Sequence, residues 1–212
     1  EDMEETKGKL FICPTPIGNL EDITIRALNT LKEVDLIAAE DTRHTIKLLN
    51  HYGIKKPLTS YHEHNKDKKG LELIQKLKEG KKIALVSDAG MPGISDPGED
   101  LVKLCIENGI ELEVLPGASA IITAVVASGL STEKFAFEGF LERNKKKRRE
   151  RLEEIKGDDR TLVFYESPHR LLDTLKDMKE IMNDRLIVVA RELTKKYEEI
   201  LRGTISDIIE HF

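Results

Sequence analysis

Apolar positions along this chain alternate between two rhythms. Short runs at Leu10–Cys13, Val34–Ala39, Ile83–Val86 and Glu111–Leu115 carry Leu, Ile and Val and read as strands, and Pro57–Tyr61 is a further candidate. Between them apolar residues return every three or four positions. Ile23, Ile25, Ala27, Leu28 and Leu31 predict a helix opened by Asp22. The strand at Val34–Ala39 hands over to another helix at Glu40-Asp41-Thr42-Arg43, where Asp41 or Thr42 suits an N-cap. Asp67–Lys78 predicts an amphipathic helix closed by Gly80, and Leu101, Val102, Leu104 and Cys105 one closed by Gly109. Strands alternating with helices predict a parallel, doubly wound α/β domain over residues 1–118.

The rhythm changes after Pro116. Residues 121–127 are apolar nearly all round, which predicts a helix buried between layers. A second α/β domain over residues 119–212 follows, with a mixed sheet. Its strands are Phe135–Leu141, Thr161–Glu166, Leu186–Ala190 and Glu198–Leu201, and its helices Lys145–Ile155, Arg170–Met182 and Thr204–Phe212.

Composition narrows the class. Charged residues make up 34% and apolar ones 39% of 212 residues, which suits a soluble protein with a sizeable core. The formal net charge of −5 excludes a generic polyanion binder, so any nucleic-acid contact needs a local basic patch. One exists: Arg143–Arg151 holds seven basic residues and one acid. Charge runs are often only solvated faces. Position favours phosphate contact by Lys145, Lys146, Lys147, Arg148 and Arg149, since the run follows a strand at the start of the second domain. Cys13 and Cys105 are isolated, as reduced thiols of a cytoplasmic protein would be. No apolar run approaches the ~18 residues of a membrane span. The polar start, Glu1–Lys9, is expected to fray. His62 and His64 flank Glu63, but no third ligand accompanies them and no metal is expected.

The most informative stretch is Lys82–Gly98, K-I-A-L-V-S-D-A-G-M-P-G-I-S-D-P-G. A buried strand breaks into a loop of Gly and Pro and then resumes as a helix, the arrangement by which open α/β sheets bind small ligands. The loop lacks the G-x-G-x-x-G of dinucleotide folds and the G-x-x-x-x-G-K-[ST] of P-loops. A ligand is therefore expected against loop backbone and not as a pyrophosphate on a helix N-terminus. Thr15–Leu20 is a loop of the same kind, and Pro116–Ala120 opens a helix whose N-terminus and Ser119 hydroxyl face a polar ligand.

S-D-A-G-M-P-G-I-S-D-P-G resembles the signature of the bacterial ribosomal RNA small-subunit methyltransferase I family, within the tetrapyrrole (corrin/porphyrin) methylase superfamily. T-P-I-G-N-L (Thr15–Leu20), A-E-D-T-R (Ala39–Arg43), Y-H-E-H-N (Tyr61–Asn65), P-G-A-S-A (Pro116–Ala120), F-Y-E-S-P-H-R (Phe164–Arg170) and R-E-L-T-K (Arg191–Lys195) extend the likeness over nearly the whole chain. The resemblance implies an S-adenosylmethionine-dependent 2′-O-methyltransferase acting on a cytidine in the decoding region of 16S ribosomal RNA in the small ribosomal subunit. It also implies a homodimer and a cofactor cleft between the two domains. It further implies continuation into another strand and often a small C-terminal domain, so a truncated chain is expected. Tetrapyrrole methylases commonly carry G-D-P where this chain has Gly90-Met91-Pro92, which favours the RNA branch over a corrin or siroheme methylase. A noncatalytic nucleotide- or RNA-binding module is the rival from another class.

The same resemblance implies cofactor contacts from Pro16, Gly18, Asp88, Ala89, Gly90, Met91, Ile94, Ser95, Ser119 and Ala120, completed by strand ends near Tyr165, Ala190 and Thr204. Displacement at a sulfonium needs alignment first and a base second. Glu40, Asp41, Glu166, His169, Glu192 and Lys195 are the residue types able to serve near the site. Arg43, Arg170 and Arg191 are suited to grip phosphate by paired hydrogen bonds.

Overall fold

The computed structural model describes residues 7–212. The expectation of a frayed start falls mostly outside the described residues. Residues up to Ser119 form one compact unit and Ala120–Phe212 another.

In the first unit β1 (Lys9–Ile12), β2 (Leu36–Ala39), β3 (Leu58–Ser60), β4 (Lys82–Val86) and β5 (Glu111–Val114) form one sheet in the order β3-β2-β4-β1-β5. Every pairing is parallel. Parallel strands are covered on both faces, which is why their sequences are apolar without alternation. One face carries α3 (Lys66–Lys78) and α4 (Gly98–Glu107), packing Leu73, Leu77, Leu101 and Cys105 on Leu10, Ile12, Ile83 and Leu85. The other carries α1 (Ile25–Glu33) and α2 (Thr42–His51), packing Ala27, Leu31 and Leu49 on Cys13, Ile37, Ala84 and Val86. Burial in these cores pushes the Cys13 and Cys105 thiols up to about 12, so neither is a thiolate at neutral pH.

One helix start differs from the sequence reading. Asn19 accepts from Glu21 N–H and closes a single 3-10 turn at Leu20–Asp22; α1 then opens at Thr24, whose hydroxyl accepts from Ala27 N–H at 2.9 Å. A better-placed cap displaces the start from Asp22.

The second unit begins with α5 (Ala120–Ser128), followed by β6 (Phe135–Phe140), α6 (Lys145–Ile155), β7 (Thr161–Tyr165), α7 (Leu171–Met182), β8 (Leu186–Arg191), β9 (Glu199–Thr204) and α8 (Ile205–His211). Both kinds of pairing occur, parallel in β6–β7 and antiparallel in β8–β9, as two separate pairs. The core joins Leu152 and Ile155 of α6, Leu175 and Met178 of α7, and Ile205 and Ile208 of α8. The expectation that α5 is buried between layers is corrected. Only Val125 and Ser128 are buried, while Ile122 and Val126 are 50% and 71% exposed. The helix packs on β8 and β9 along one side, and uniform apolarity does not supply a second neighbour.

A buried ion pair ties α6 to α7. Arg148 Nε donates to Asp177 Oδ2 at 2.7 Å, with both side chains buried, and Arg149 reaches the other oxygen of Asp177 at 2.7 Å. Removing one partner of such a pair strands the other charge without water. Asp177→Ala is therefore expected to cost about 3–5 kcal/mol in urea unfolding. Glu180→Ala, which removes only the exposed partner of Arg149, should cost no more than about 1 kcal/mol.

Candidate active site

Five loops of the first unit leave the carboxyl ends of its strands and meet there. β1 and β4 are neighbours, yet the chain crosses from β1 towards β2 and from β4 towards β5, in opposite directions. Ligand crevices of open α/β sheets lie at such a divergence. The two loops that leave this point are joined to each other. Thr15 N–H donates to Gly90 O at 3.1 Å and Gly90 N–H to Thr15 O at 3.0 Å. The Thr15 hydroxyl adds a bond to Ser87 O at 3.3 Å, and Ser87 Oγ bonds Gly90 O at 3.1 Å.

Gly90 holds φ +76°, and a Cβ there would lie 3.0 Å from Ile17 Cγ2 and 3.2 Å from the Ala118 carbonyl oxygen. A left-handed backbone and this close approach both require glycine. The loop after β5 is equally near, since a Cβ on Gly117 would fall 2.7 Å from Pro14 Cβ. Pro16 is buried and Gly18 exposed on the first loop. Asp88, Ala89, Ile94 and Ser95 are exposed on the central loop. Ser95 has φ +60° without being glycine, a conformation that costs on the order of 1–3 kcal/mol and concentrates at functional loops. Met91 turns the other way and packs against the core on the α3 and α4 face.

Asp96 is a site residue the sequence reading did not single out. Its Oδ1 accepts from both Gly93 N–H and Gly98 N–H at 2.8 Å, closing the Gly/Pro loop on itself. Asp ahead of Pro-Gly was the available signal, since Asp bonds its own backbone in turns. Tyr61, from the loop after β3, donates its hydroxyl to Pro97 O at 2.9 Å and braces the same segment. The neighbouring His62 Nδ1 accepts from His64 N–H within that turn.

The loop after β2 brings carboxylates. Asp41 N–H donates to Asp88 Oδ1 at 3.3 Å. Glu40, Ser87 and Asp96 line a cavity of about 10 Å³, room for one water. Burial raises the Glu40 carboxyl, and Asp88, Asp96 and Asp41 raise it further. Burial likewise raises Asp96 against the lowering pull of the Gly98 and Gly93 N–H groups. Asp41 goes the other way. It caps α2, and the Arg43 N–H, then the Arg43 guanidinium, hold it below the usual carboxylate range. Asp41 thus caps α2, with Arg43 exposed beside it.

The second unit holds a cavity of about 800 Å³ bordered by Tyr165, Glu166 and Ala190 among others. It touches successive residues of β7 and β8, and successive strand residues point to opposite faces. The opening therefore follows the strand edges and suits an extended chain as well as a small molecule. Thr204 ends β9, and its hydroxyl accepts from Asp207 N–H at 3.2 Å in a capping box on α8. Glu166 is engaged: its oxygens accept from Ser167 N–H at 2.7 Å and Thr174 Oγ1 at 2.8 Å, and Arg170 lies 3.3 Å away, so Arg170 is paired as well. Lys195 is exposed and bonds Glu192 at 2.8 Å. Arg148 is corrected from RNA contact to buried structural partner of Asp177, and Lys145, Lys146 and Lys147 remain exposed.

Residues 9–209 match the model of one family, the Tetrapyrrole (Corrin/Porphyrin) Methylases. The chain belongs to that family. It is 60% identical over 205 residues to the ribosomal RNA small subunit methyltransferase I of Halalkalibacterium halodurans, covering 97% of this chain and 71% of that protein. The enzyme of the same name from Thermotoga maritima is 58% identical, covering 97% and 92%. Among solved structures, a uroporphyrin-III C-methyltransferase from Thermus thermophilus complexed with S-adenosylhomocysteine shares the fold at 14% identity and a TM-score of 0.67, covering 97% and 91%. The chain is thus a methyltransferase of the tetrapyrrole methylase family. Its cluster of loops lies at the crevice where α/β enzymes hold their ligands.

The shift at Glu40 has a measurable sign. An acid raised by folding binds its proton more tightly folded than unfolded, so its contribution to stability falls as pH rises from the ordinary carboxylate value through the raised one. Glu40→Gln should match the wild type in urea unfolding near about pH 4 and exceed it near about pH 7.

Proposed function

We propose that this methyltransferase transfers a methyl group from S-adenosylmethionine to the 2′-oxygen of a cytidine in 16S ribosomal RNA, in the cytoplasm. The observation that carries the reading is the 60% and 58% identity, over 97% of the chain, to two proteins named ribosomal RNA small subunit methyltransferase I. The position of Met91 agrees with it, because an acid there would be driven against an apolar core.

The donor set fits the cofactor. The exposed carboxylate of Asp88 can accept hydrogen bonds from ribose hydroxyls and offset a sulfonium charge. Bound there, the cofactor supplies an electrophilic methyl group. The chain's task is then to hold the ribose oxygen in line and receive its proton. Glu40 suits that role best among the candidates, since burial and three neighbouring carboxylates raise its proton affinity. Lys145, Lys146 and Lys147, exposed on the first turn of α6, supply phosphate contacts. We further propose a two-fold homodimer through the exposed Ile122 and Val126 of α5, which light scattering reads as a doubled mass.

The test is incubation with a labelled methyl donor and small ribosomal subunits, followed by nuclease mapping. Label on a 2′-O-methylcytidine supports the reading; no incorporation into RNA overturns it. In the same assay, replacing Lys145, Lys146 and Lys147 with Gln should weaken RNA binding and flatten the salt dependence. The log–log slope should fall by roughly 0.7 for each single-strand phosphate that is no longer neutralised. Calorimetric affinity for the cofactor should stay unchanged.

A further inference from the structure

The β8–β9 hairpin carries a feature that methyl transfer itself does not require. The two strands pair in unbroken register from Leu186↔Thr204 to Arg191↔Glu199, and residues 192–198 close the turn. That turn is held in shape. Lys195 N–H donates to Glu192 O at 3.0 Å, Glu198 N–H to Lys195 O at 3.1 Å, and Thr194 N–H to Glu198 Oε2 at 2.7 Å. Glu192 and Thr194 both take positive φ, +51° and +72°, though neither is glycine. The Thr194 hydroxyl is buried with no hydrogen-bond partner. Strain of this kind persists where the surrounding structure imposes it, and it gathers at ligand-contacting loops.

What the strained turn presents is an aromatic ring. Tyr197 is 77% exposed in a chain with only 5% aromatic residues. Of the other exposed rings of this unit, Phe135 is less open at 37%, and two more are engaged. Phe140 packs with Tyr165 at 5.5 Å, and Phe212 meets His211 at 5.4 Å and the Arg191 guanidinium at 5.4 Å. Tyr197 meets the ammonium of Lys196, 5.4 Å from its ring centroid. Glu192 is taken by Lys195 and Glu198 by the Thr194 amide, while Glu199 lies near Arg191 and His211 with its Oε1 buried and without a hydrogen bond. An ordered, exposed ring with a cation beside it is the combination that stacks an unpaired base and holds the adjoining phosphate. Ordering the turn in advance removes part of the entropic cost of binding.

We propose that Tyr197, flanked by Lys195 and Lys196, is a stacking platform for an unpaired base of the RNA substrate. The ring positions substrate and takes no part in methyl transfer. This inference rests on the RNA reading above and commits to single-stranded RNA.

The chain contains no Trp, so Tyr197→Trp introduces a single indole at the platform. Its fluorescence should be quenched by a single-stranded cytidine-containing oligoribonucleotide and not by the same length of duplex RNA. In methyl transfer to small ribosomal subunits, Tyr197→Ala should raise KM for the subunit about tenfold with kcat and cofactor affinity little changed. Tyr197→Trp should keep the wild-type KM. Unquenched fluorescence together with an unchanged KM in the alanine variant would overturn the proposal. A halved mass of the alanine variant in light scattering would also overturn it, by assigning the ring to a protein interface. Wild-type protein that methylates no RNA would defeat the functional reading, while quenching by the oligoribonucleotide still decides the platform.

Discussion

Two backbone hydrogen bonds between Thr15 and Gly90 are what the first unit's ligand end depends on. β1 and β4 lie side by side, but the chain leaves them in opposite directions, so nothing in the sheet itself keeps their loops together. The paired bonds continue the ladder for one step beyond the strands, and the hydroxyls of Thr15 and Ser87 extend the tie to neighbouring carbonyls. Because Gly90 spends both backbone groups on Thr15, a ligand meets the parts of the loop on either side of it. Those parts include Asp88 and Ala89 before it and Ile94 and Ser95 after it, all exposed. Asp96 then closes the loop from the far side through two N–H groups. A rigid rim is consistent with a reaction whose main demand is alignment.

The acidic residues at that rim divide by partner. Asp41 gains hydrogen bonds by capping a helix and is held as an anion. Glu40, one residue earlier, gains burial and three like charges and is held towards its acid form. Adjacent carboxyls thus acquire opposed proton affinities from local geometry alone, and separations of this kind sort acids and bases within a site. In the second unit ion pairs engage other candidates. Glu166 and Arg170 satisfy each other, and Asp177 claims Arg148 and Arg149.

Strand and helix order in the first unit was legible because parallel strands with covered faces have few ways to look in sequence, as in Ile83–Val86. The Gly/Pro loop was legible for a related reason, since positive φ at Gly90 and Gly93 admits few other residues. Partnership was not legible. Nothing in R-N-K-K-K-R-R separates Arg148, sunk against Asp177, from Lys147 beside it, because the distinction lies in which face of α6 meets α7. Thr204 ends β9, as read, and also caps α8, a second duty that its hydroxyl takes on through Asp207. For α5, composition reported apolarity but not the number of neighbours available to cover it.

The separate pairing of β6–β7 and β8–β9 bears on how this protein behaves in concentrated solution. β7 and β8 each pair on one side only, and both border the same cavity. Natural sheets guard an unpaired side with Lys, Pro or a bulge, because an open ladder templates other chains. Thr161–Tyr165 contains none of those residues and Leu186–Arg191 only a terminal Arg, and among the described strands the register shift lies in β6. Both half-paired strands instead border one open cavity, so the unit presents two apolar templates side by side. Self-association under mild stress would then begin in the second unit, ahead of the first unit's central strands, which are paired on both sides.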